Sequence, residues 1–423
     1  MNTLNAQQSN RTEQKFFYGY IIVIAAFCIM LTTYGTNASF GVFFKPMSTE
    51  LGWTRAITSG AFTFSIAISG LMGIVVGGLT DKLGPRLVIT VCGFFIGLSF
   101  VLMSLTSVIW QLYLFFGVIR GIGMSGPWVS LTSTVARWFT RRRAMMTGIV
   151  LAGTGAGVLI TSPVVSWLNY IYGWRTSYII LGSFIVLIVV LSAQFLKRDP
   201  THKWQVPYGE SKTGGQALQS SADIYSLRDA VRTRQLWLLF TMVFIHGFCL
   251  LIIMVHLVPH ATDLGISVTS AANILASVGG VSIVGRVVLG NIADRIGNRQ
   301  MFIVCFILIS VALFWLVVAK ELWMFYVFAV FSGFATGGLA TLWPPLAAGL
   351  FGLSSHGLIL GVVNLGFSIG GAVGPLFAGY IFDVTANYQL AFLVCATISI
   401  VGLILTLILR PIAGKCRQKS KIT

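Results

Sequence analysis

The sequence reads Gly77-Gly78-Leu79-Thr80-Asp81-Lys82-Leu83-Gly84-Pro85-Arg86 after its second apolar stretch and Gly290-Asn291-Ile292-Ala293-Asp294-Arg295-Ile296-Gly297-Asn298-Arg299 after its eighth. The acids of these two turns, Asp81 and Asp294, lie 213 residues apart. The same offset relates Gly148 to Gly361. A register that is shared by two distant parts of the chain predicts that the second half of the sequence is a duplicate of the first.

The apolar content of the chain indicates the solvent in which it folds. Of the 423 residues, 56% are hydrophobic and only 9% are charged, whereas about a quarter of the residues of a soluble domain are charged. A helix that spans a bilayer needs about 20 apolar residues, and the sequence contains twelve such stretches. We therefore expect an all-α membrane protein of twelve transmembrane helices, and we exclude soluble enzymes, disordered chains and fibrous repeats.

Polar segments divide the twelve stretches into two groups of six. The division predicts a cytoplasmic N-terminus, an N-terminal bundle, a cytoplasmic linker, a C-terminal bundle and a cytoplasmic tail, at residues 1–16, 17–196, 197–234, 235–410 and 411–423. No segment outside the membrane is large enough to hold an active site, so we do not expect an enzyme. The first apolar stretch lacks a small-residue cleavage site, and we interpret it as a retained helix.

The basic residues indicate how the chain is oriented. The formal net charge of +17 suggests nucleic acid as a partner, but 22 of the 28 Lys and Arg residues fall on one side of the predicted membrane and only 4 on the other. This asymmetry follows the positive-inside rule, so we place both termini in the cytoplasm of a multi-pass protein of the cell inner membrane. The basic loops then face the lipid bilayer, and we expect no nucleic-acid partner.

The sequence predicts neither a metal nor a cofactor. Its six cysteines are scattered without CxxC spacing, so neither a zinc site nor a disulfide framework is indicated. The G-x-x-x-x-G-K-[ST] motif of ATP-binding proteins is absent. Ion or solute gradients would therefore supply the energy for any transport, and we expect a monomer.

The two repeated turns suggest a gate. Each lies at a cytoplasmic helix end, where a tight turn needs glycine. Asp81 and Asp294 can meet basic groups or a helix N-terminus across the seam between the halves. We assign these acids to gating together with the basic residues of their turns, Arg86 and Arg295. The alternative is a solvated turn that follows the positive-inside rule and has no gating role.

Here the sequence resembles a known family. The two turns are similar to the loop signature of the major facilitator superfamily, and Arg120-Gly121-Ile122-Gly123 resembles its second signature. Three further stretches resemble prokaryotic members of the monocarboxylate transporter family, which includes oxalate–formate exchangers: Ser39–Phe44 with Pro46, Arg137–Phe139 with the arginines 141–143, and His256–Pro259 with 261–266. The resemblance implies the major facilitator fold, in which two six-helix pseudo-repeat bundles rock about a central site.

Arg286 is the leading candidate for substrate binding. It lies in the eighth stretch two turns before Asp294, which places it roughly 12 Å from the cytoplasmic end of the helix. A charge at this depth costs about 2.5–3.5 kcal/mol or more, so the side chain must face a cavity or a partner. Its planar guanidinium matches a carboxylate. In the resembling family an arginine at this place binds the substrate carboxylate; a structural ion pair or a snorkelling side chain is the alternative.

Further polar residues complete the candidate site. Arg120 is a second buried cation, and the resemblance implies that it organises helix contacts, so we group it with the gating residues and keep direct substrate contact as the alternative. Asn37, Ser282 and Asn364 offer hydrogen bonds to a substrate, and Trp128 offers a wall of the pocket. For Trp128 and Asn364, simple helix packing is the competing interpretation.

A possible proton path lies at the end of the seventh stretch. His256, His260 and Asp263 fall at i, i+4 and i+7 and so share one helix face. We consider them as a proton relay at the outer mouth, because histidine titrates near neutral pH. A plain interfacial face is an equal alternative, and metal ligation is disfavoured because Pro259 disturbs the turn. His246 is interpreted as a hydrogen-bonded packing residue.

The sequence departs from the family at several places, and three of them concern proton coupling and the charge of the substrate. Ser282 replaces an acid and Ala38 replaces a lysine, the groups that are usually assigned to proton coupling. Phe367 stands where dicarboxylate exchangers place a second cation, which favours a substrate with one carboxylate. We expect a secondary active transporter that moves a small monocarboxylate, similar to lactate or pyruvate, by proton-coupled symport. The alternatives are an organic-anion exchanger for substrates similar to oxalate and formate, or a transporter of another small solute.

Overall fold

The computed structural model describes residues 17–38, 40–53, 55–200, 206–209 and 225–410. Within these ranges the side chains of a few residues, Asn37 among them, are also outside the description. The predicted terminal segments 1–16 and 411–423 lie outside the described residues, as does most of the predicted linker 197–234. The boundaries of the five predicted segments therefore stay predictions.

The first half begins with four membrane-spanning helices, namely α1 (Gly19–Ala38), α2 (Arg55–Leu83), α3 (Pro85–Met103) and α4 (Ile109–Trp138). A short helix, Phe40–Leu51, follows α1, and α4 contains a π-helical segment at Tyr113–Ile119. The half ends with the helical run Arg143–Gln194, in which Gly173 has a φ of 75°. This positive φ breaks the run, and we call the part before Gly173 α5 and the part after it α6.

The second half repeats this arrangement after a short helix at Leu227–Val231. Its six helices are α7 (Arg234–Asp263), α8 (Val268–Ile296), α9 (Asn298–Val318), α10 (Leu322–Phe351), α11 (His356–Thr385) and α12 (Gln389–Ile408). Within the described ranges, eleven helices are long and apolar enough to cross a membrane. The run Arg143–Gln194 has 52 residues, which at 1.5 Å per residue is roughly twice the length that one crossing needs. It therefore supplies two crossings, and the predicted all-α fold of twelve transmembrane helices is confirmed.

Both repeated turns contain a glycine with a positive φ, as expected of a tight turn. Gly84 begins α3 with a φ of 85°, and Gly297 begins α9 with a φ of 104°. Residues with a Cβ rarely adopt these angles, so glycine is required at both turns. We call the end of the molecule that carries these turns the motif end.

The halves meet along two equivalent helix pairs. Helix α2 packs against α11, and α5 packs against α8. A Cβ on Gly148 would overlap the carbonyl oxygen of Arg286, and a Cβ on Gly361 would overlap that of Gly73. Because Gly148 and Gly361 are related by the offset of the repeat, the two contacts are copies of one another. Large apolar side chains such as Trp167 and Leu376 are exposed on the outside, as expected of surfaces that face lipid.

The Gly148→Ala substitution should weaken the seam between the halves. The new methyl group meets backbone that cannot move aside, and overpacking of this kind costs about 1–3 kcal/mol. We expect a lower melting temperature for the purified protein and reduced transport. Gly279→Ala is the matched control, since no neighbouring atom of the described residues lies within 4 Å of the Cβ added in that part of α8. Equal melting temperatures for the two variants would show that the close approach does not hold the halves together.

Candidate functional site

A central cavity of about 340 Å³ lies between the two halves. Helices α1, α2, α4 and α5 line it from the first half, and α7, α8, α10 and α11 line it from the second. These are equivalent helices in the two repeats, so the duplication itself produces the cavity. Four of the five residues that we predicted to bind substrate line it, namely Trp128, Ser282, Arg286 and Asn364. The side chain of the fifth, Asn37, is outside the description.

Arg286 connects the cavity to the seam. Its Nη1 donates to the carbonyl oxygen of Leu151 and to the hydroxyl of Thr154, both on α5 of the other half. Its Nε is buried without a hydrogen-bond partner among the described residues. A buried donor of this kind is rare in proteins unless a ligand or solvent satisfies it. The guanidinium is therefore fixed through Nη1, and its Nε–H is available to donate to a bound molecule.

Arg120 lies in the same cavity. Its Nη1 donates to the Ser65 hydroxyl on α2 at 2.8 Å, and its guanidinium carbon lies 4.5 Å from the ring centroid of Phe116. Such a cation–π contact stabilises a buried guanidinium. These contacts are made within the first half, as the resemblance implied for an organiser of helix contacts. The gating role of Arg120 stays a prediction, and its place in the lining adds a second positive charge to the cavity.

The electrostatics of the cavity favour an anion. Among the described residues its lining contains two arginines and no aspartate or glutamate. Charges inside a low-dielectric membrane protein are costly unless a counter-charge is near. A bound anion supplies that counter-charge, so the cavity suits a small molecule with a negative group and an apolar body.

The walls of the cavity are mainly aromatic and aliphatic. Trp128 on α4 stacks on Trp343 of α10, with ring centroids 6.1 Å apart and planes inclined by 10°. Tyr34 packs edge-on against Trp128 at 5.9 Å. The indole Nε1 of Trp128 is buried and has no hydrogen-bond partner among the described residues. This side chain is therefore both a wall between the halves and a possible donor to a ligand.

Two smaller polar residues also line the cavity. Ser282 lies one helical turn before Arg286 and donates to the carbonyl oxygen of Gly279 at 2.7 Å. Its hydroxyl can still accept a hydrogen bond. Asn364 lies on α11, on the opposite wall. The cavity that contains Arg286 is therefore also lined by hydrogen-bonding groups from α8 and α11.

The predicted proton relay lies away from the cavity. His256 forms a hydrogen bond of 3.0 Å with the carbonyl oxygen of Pro375, and the ring of His260 packs against Phe392 at 5.0 Å. Asp263 is exposed at the end of α7. None of the three is among the described lining residues. Both histidines are packed within the second half, and their role in proton transfer stays a prediction.

The acids of the two turns bind helix N-termini across the seam. Asp81 accepts hydrogen bonds from the backbone N–H groups of Gly357 and Leu358 at 3.1 and 2.9 Å. Asp294 accepts from those of Ala144 and Met145 at 2.9 and 2.8 Å. The offset of 213 residues relates every partner in the first set to one in the second. Each half therefore caps a helix of the other, at the place where a negative charge stabilises the helix dipole most.

The basic residues of the turns behave differently. Arg86 donates to the side-chain oxygen of Gln194 at 2.8 Å within its own half, and Arg295 is exposed. The cation that meets Asp81 is instead Arg137 of α4, at 2.8 Å. We did not predict this pairing, because Arg137 lies at the end of α4 and not in the repeated turn. A role of Arg86 and Arg295 in gating stays a prediction with no contact across the seam to support it.

The surroundings of His246 in the structure differ from our prediction. We interpreted it as a hydrogen-bonded packing residue, but it lines the central cavity and is 2% exposed. Both of its ring nitrogens lack a hydrogen-bond partner among the described residues. No signal in the sequence identified it, because α7 is apolar nearly all round and the face of a single histidine cannot be predicted.

A separate polar cluster lies at the end opposite the motif end. Glu50 accepts a hydrogen bond of 2.5 Å from the Trp174 indole and forms an ion pair with Arg175. These hydrogen bonds, first that of Trp174 and then that of Arg175, hold the pKa of the Glu50 carboxyl below its usual 4.5. The cluster fastens the short helix Phe40–Leu51 to the start of α6 and has no part in the cavity.

Comparisons with known proteins agree with this architecture. The model of a family described as the Major Facilitator Superfamily matches residues 22–293 and 250–421. Monocarboxylate transporter 13 of Rattus norvegicus is 27% identical over 387 residues, which cover 91% of this chain and 87% of that protein. Monocarboxylate transporter 12 of Mus musculus is 27% identical over 403 residues, which cover 89% and 82%.

A solved structure extends the likeness to the fold. The crystal structure of the fucose:proton symporter of E. coli matches with a TM-score of 0.69 and covers 93% of this chain and 99% of that chain. The two sequences are 16% identical. This likeness concerns the arrangement of helices and carries no information about the substrate.

Proposed function

The chain belongs to the major facilitator superfamily, and we propose that it is a secondary active transporter that moves a small monocarboxylate across the membrane. Members of this superfamily are transporters, not enzymes. The observation that carries the proposal is a pair of arginines, Arg120 buried and Arg286 half-buried, that face one cavity without an acidic residue in its described lining. The similarity to monocarboxylate transporters supports the same substrate class.

Arg286 is the proposed anchor of the carboxylate. Its Nε has no partner among the described residues, and a guanidinium presents two parallel donors to a carboxylate. The Trp128 indole and the Ser282 hydroxyl lie in the same lining and can bond the remaining oxygen positions. The apolar side chain of the acid would then contact the aromatic walls, so acids larger than lactate also fit the cavity.

Alternating access follows from the caps at the motif end. Asp81 and Asp294 each bind the half to which they do not belong. While both caps are formed, the motif end is closed and the cavity is reached from the other end. Breaking both caps lets the halves rock and opens the motif end. We place that end in the cytoplasm, since most of the Lys and Arg residues lie on its side of the chain.

The proposal also has to account for the energy source that drives transport. The sequence led us to expect proton symport, with exchange against a second organic anion as the alternative. The described lining contains no carboxyl that could carry a proton through the cavity, and this observation favours the alternative. The candidate relay of His256, His260 and Asp263 is remote from the lining, so coupling through it would require another conformation.

Uptake into proteoliposomes tests the proposed function. The panel is labelled lactate, pyruvate, a branched 2-oxo acid, oxalate and formate, together with the uncharged amides of the first three. We expect uptake of at least one monocarboxylate and none of its amide. Stimulation by an inward proton gradient would indicate symport, and a requirement for preloaded anion would indicate exchange. Uptake of none of the acids would overturn the proposal in favour of another solute.

A further inference from the structure

His246 is a polar side chain that the proposed transport mechanism does not use. It is 2% exposed and lines the central cavity, and neither Nδ1 nor Nε2 has a hydrogen-bond partner among the described residues. Its ring contacts Phe367 edge-on, with centroids 5.4 Å apart. The phenyl ring fixes the orientation of the imidazole without satisfying its polar atoms. Buried polar groups in proteins are almost always satisfied, so this one points to a group that binds in the cavity.

The position of His246 relates it to the carboxylate site. By helical rise, it lies roughly 18 Å from the start of α7, and Arg286 lies roughly 15 Å from the end of α8. Both of these helix ends are at the motif end, so the two side chains lie at nearly the same depth in the bundle. Both side chains line the same cavity at this depth, so a ligand whose carboxylate is bound by Arg286 places its other atoms in the part of the cavity that His246 also lines.

The chemistry of imidazole limits what those atoms are. A neutral ring presents one N–H donor and one acceptor. The described lining has no carboxylate that would pair with a protonated ring. An apolar carbon next to the carboxylate would leave both nitrogens unsatisfied, whereas an oxo or hydroxyl oxygen would bond one of them. A site built to bond a substrate oxygen rejects analogues that lack it, because its own polar group is then left unpaired.

We propose that His246 determines specificity by bonding an oxygen substituent beside the substrate carboxylate, so that 2-oxo or 2-hydroxy acids are preferred to the corresponding unsubstituted acids. The inference rests on the proposed function, since it needs a carboxylate bound by Arg286. It assigns to α7 of the second half a direct contact with substrate. The aromatic walls then select the side chain of the acid, and His246 selects the atom next to its carboxylate.

Matched pairs of acids in proteoliposomes test this proposal. The pairs are pyruvate with propionate, and 4-methyl-2-oxopentanoate with 4-methylpentanoate. We expect the wild-type protein to transport the oxygen-bearing acid of each pair with a kcat/KM about tenfold higher or more. In His246→Phe this ratio should fall to about one, chiefly because uptake of the oxygen-bearing acid is lost. His246→Gln, which keeps a donor and an acceptor, should recover part of the preference.

Controls separate this proposal from the proposed function. Cys249→Ala alters a buried residue of α7 that is not among the described lining residues, and it should leave the ratio unchanged. Equal transport of both acids by the wild-type protein overturns the role of His246 and leaves the proposed function standing. This comparison uses only the wild-type protein, so it tests the proposal even where His246→Phe misfolds. A full preference retained in folded His246→Phe also overturns it, whereas transport of neither acid overturns the proposed function itself.

Discussion

Uptake of the preferred carboxylate should fall about 100-fold or more when Arg286 is replaced by glutamine. The guanidinium would form a buried, charge-assisted contact with the carboxylate, and truncating one partner of such a pair costs about 2–5 kcal/mol. Each 1.4 kcal/mol is roughly a tenfold change. Glutamine keeps a hydrogen-bond donor on a shorter, uncharged side chain, so the loss reports the charge and the forked donors of the guanidinium together. Initial rates of labelled uptake into proteoliposomes measure it.

Two matched variants control for other effects of the Arg286→Gln substitution. Arg232→Gln removes an arginine that is exposed on the surface, and it should leave uptake unchanged. Thr154→Val removes a seam contact of Arg286 while leaving the guanidinium in the cavity, so it separates the structural role from the binding role. Full uptake by Arg286→Gln would show that the carboxylate is bound elsewhere.

The second large effect is expected at the motif end. Asp81→Asn and Asp294→Asn should each shift the protein toward a conformation that is open at that end. Asparagine keeps an acceptor for the backbone N–H groups but removes the negative charge at the helix N-terminus, which is worth about 0.3–2 kcal/mol, and one to two kcal/mol changes a two-state ratio by about 5–30-fold. Asp81→Asn should have the larger effect, because Asp81 also forms an ion pair with Arg137.

Distances between spin labels measure this shift. Leu87 at the start of α3 and Gln300 near the start of α9 are exposed on the two halves at the motif end. Double electron–electron resonance between labels at these sites should show a longer distance that gains population in both aspartate variants. Asp383→Asn, at the exposed far end of α11, should leave the distribution as in the wild-type protein. An unchanged distribution in the Asp81 and Asp294 variants would contradict the gating role.

Patterns within single helices were sufficient to predict most of the fold. Apolar runs of sufficient length indicated every crossing, since lipid leaves helices as the only spanning structure for such stretches. The repeated turns indicated the seam, because glycine and aspartate at a helix end have few other uses. Arg286 was identified as a cavity residue because its depth in the membrane made any other position costly.

The remaining parts of the site depend on how helices are rotated against each other. The sequence of α7 does not indicate which way His246 faces, since apolar residues occupy every face of the helix around it. Arg120 was expected at helix contacts, and only the packing of α4 against α2 shows that it also lines the cavity. Asp81 and Arg137 lie at the ends of α2 and α4, 56 residues apart in the chain, and no periodic pattern in the sequence connects positions so distant.

Equilibrium binding of the transported acid to the purified protein tests the central claim most directly. Isothermal titration calorimetry compares the acid with its uncharged amide, in the wild-type protein and in Arg286→Gln. We predict that the wild-type protein binds the acid about 100-fold or more tightly than the amide, and that Arg286→Gln loses this difference. Equal binding of acid and amide by the wild-type protein would contradict this prediction, because the two arginines of the cavity would then serve the structure and not the substrate.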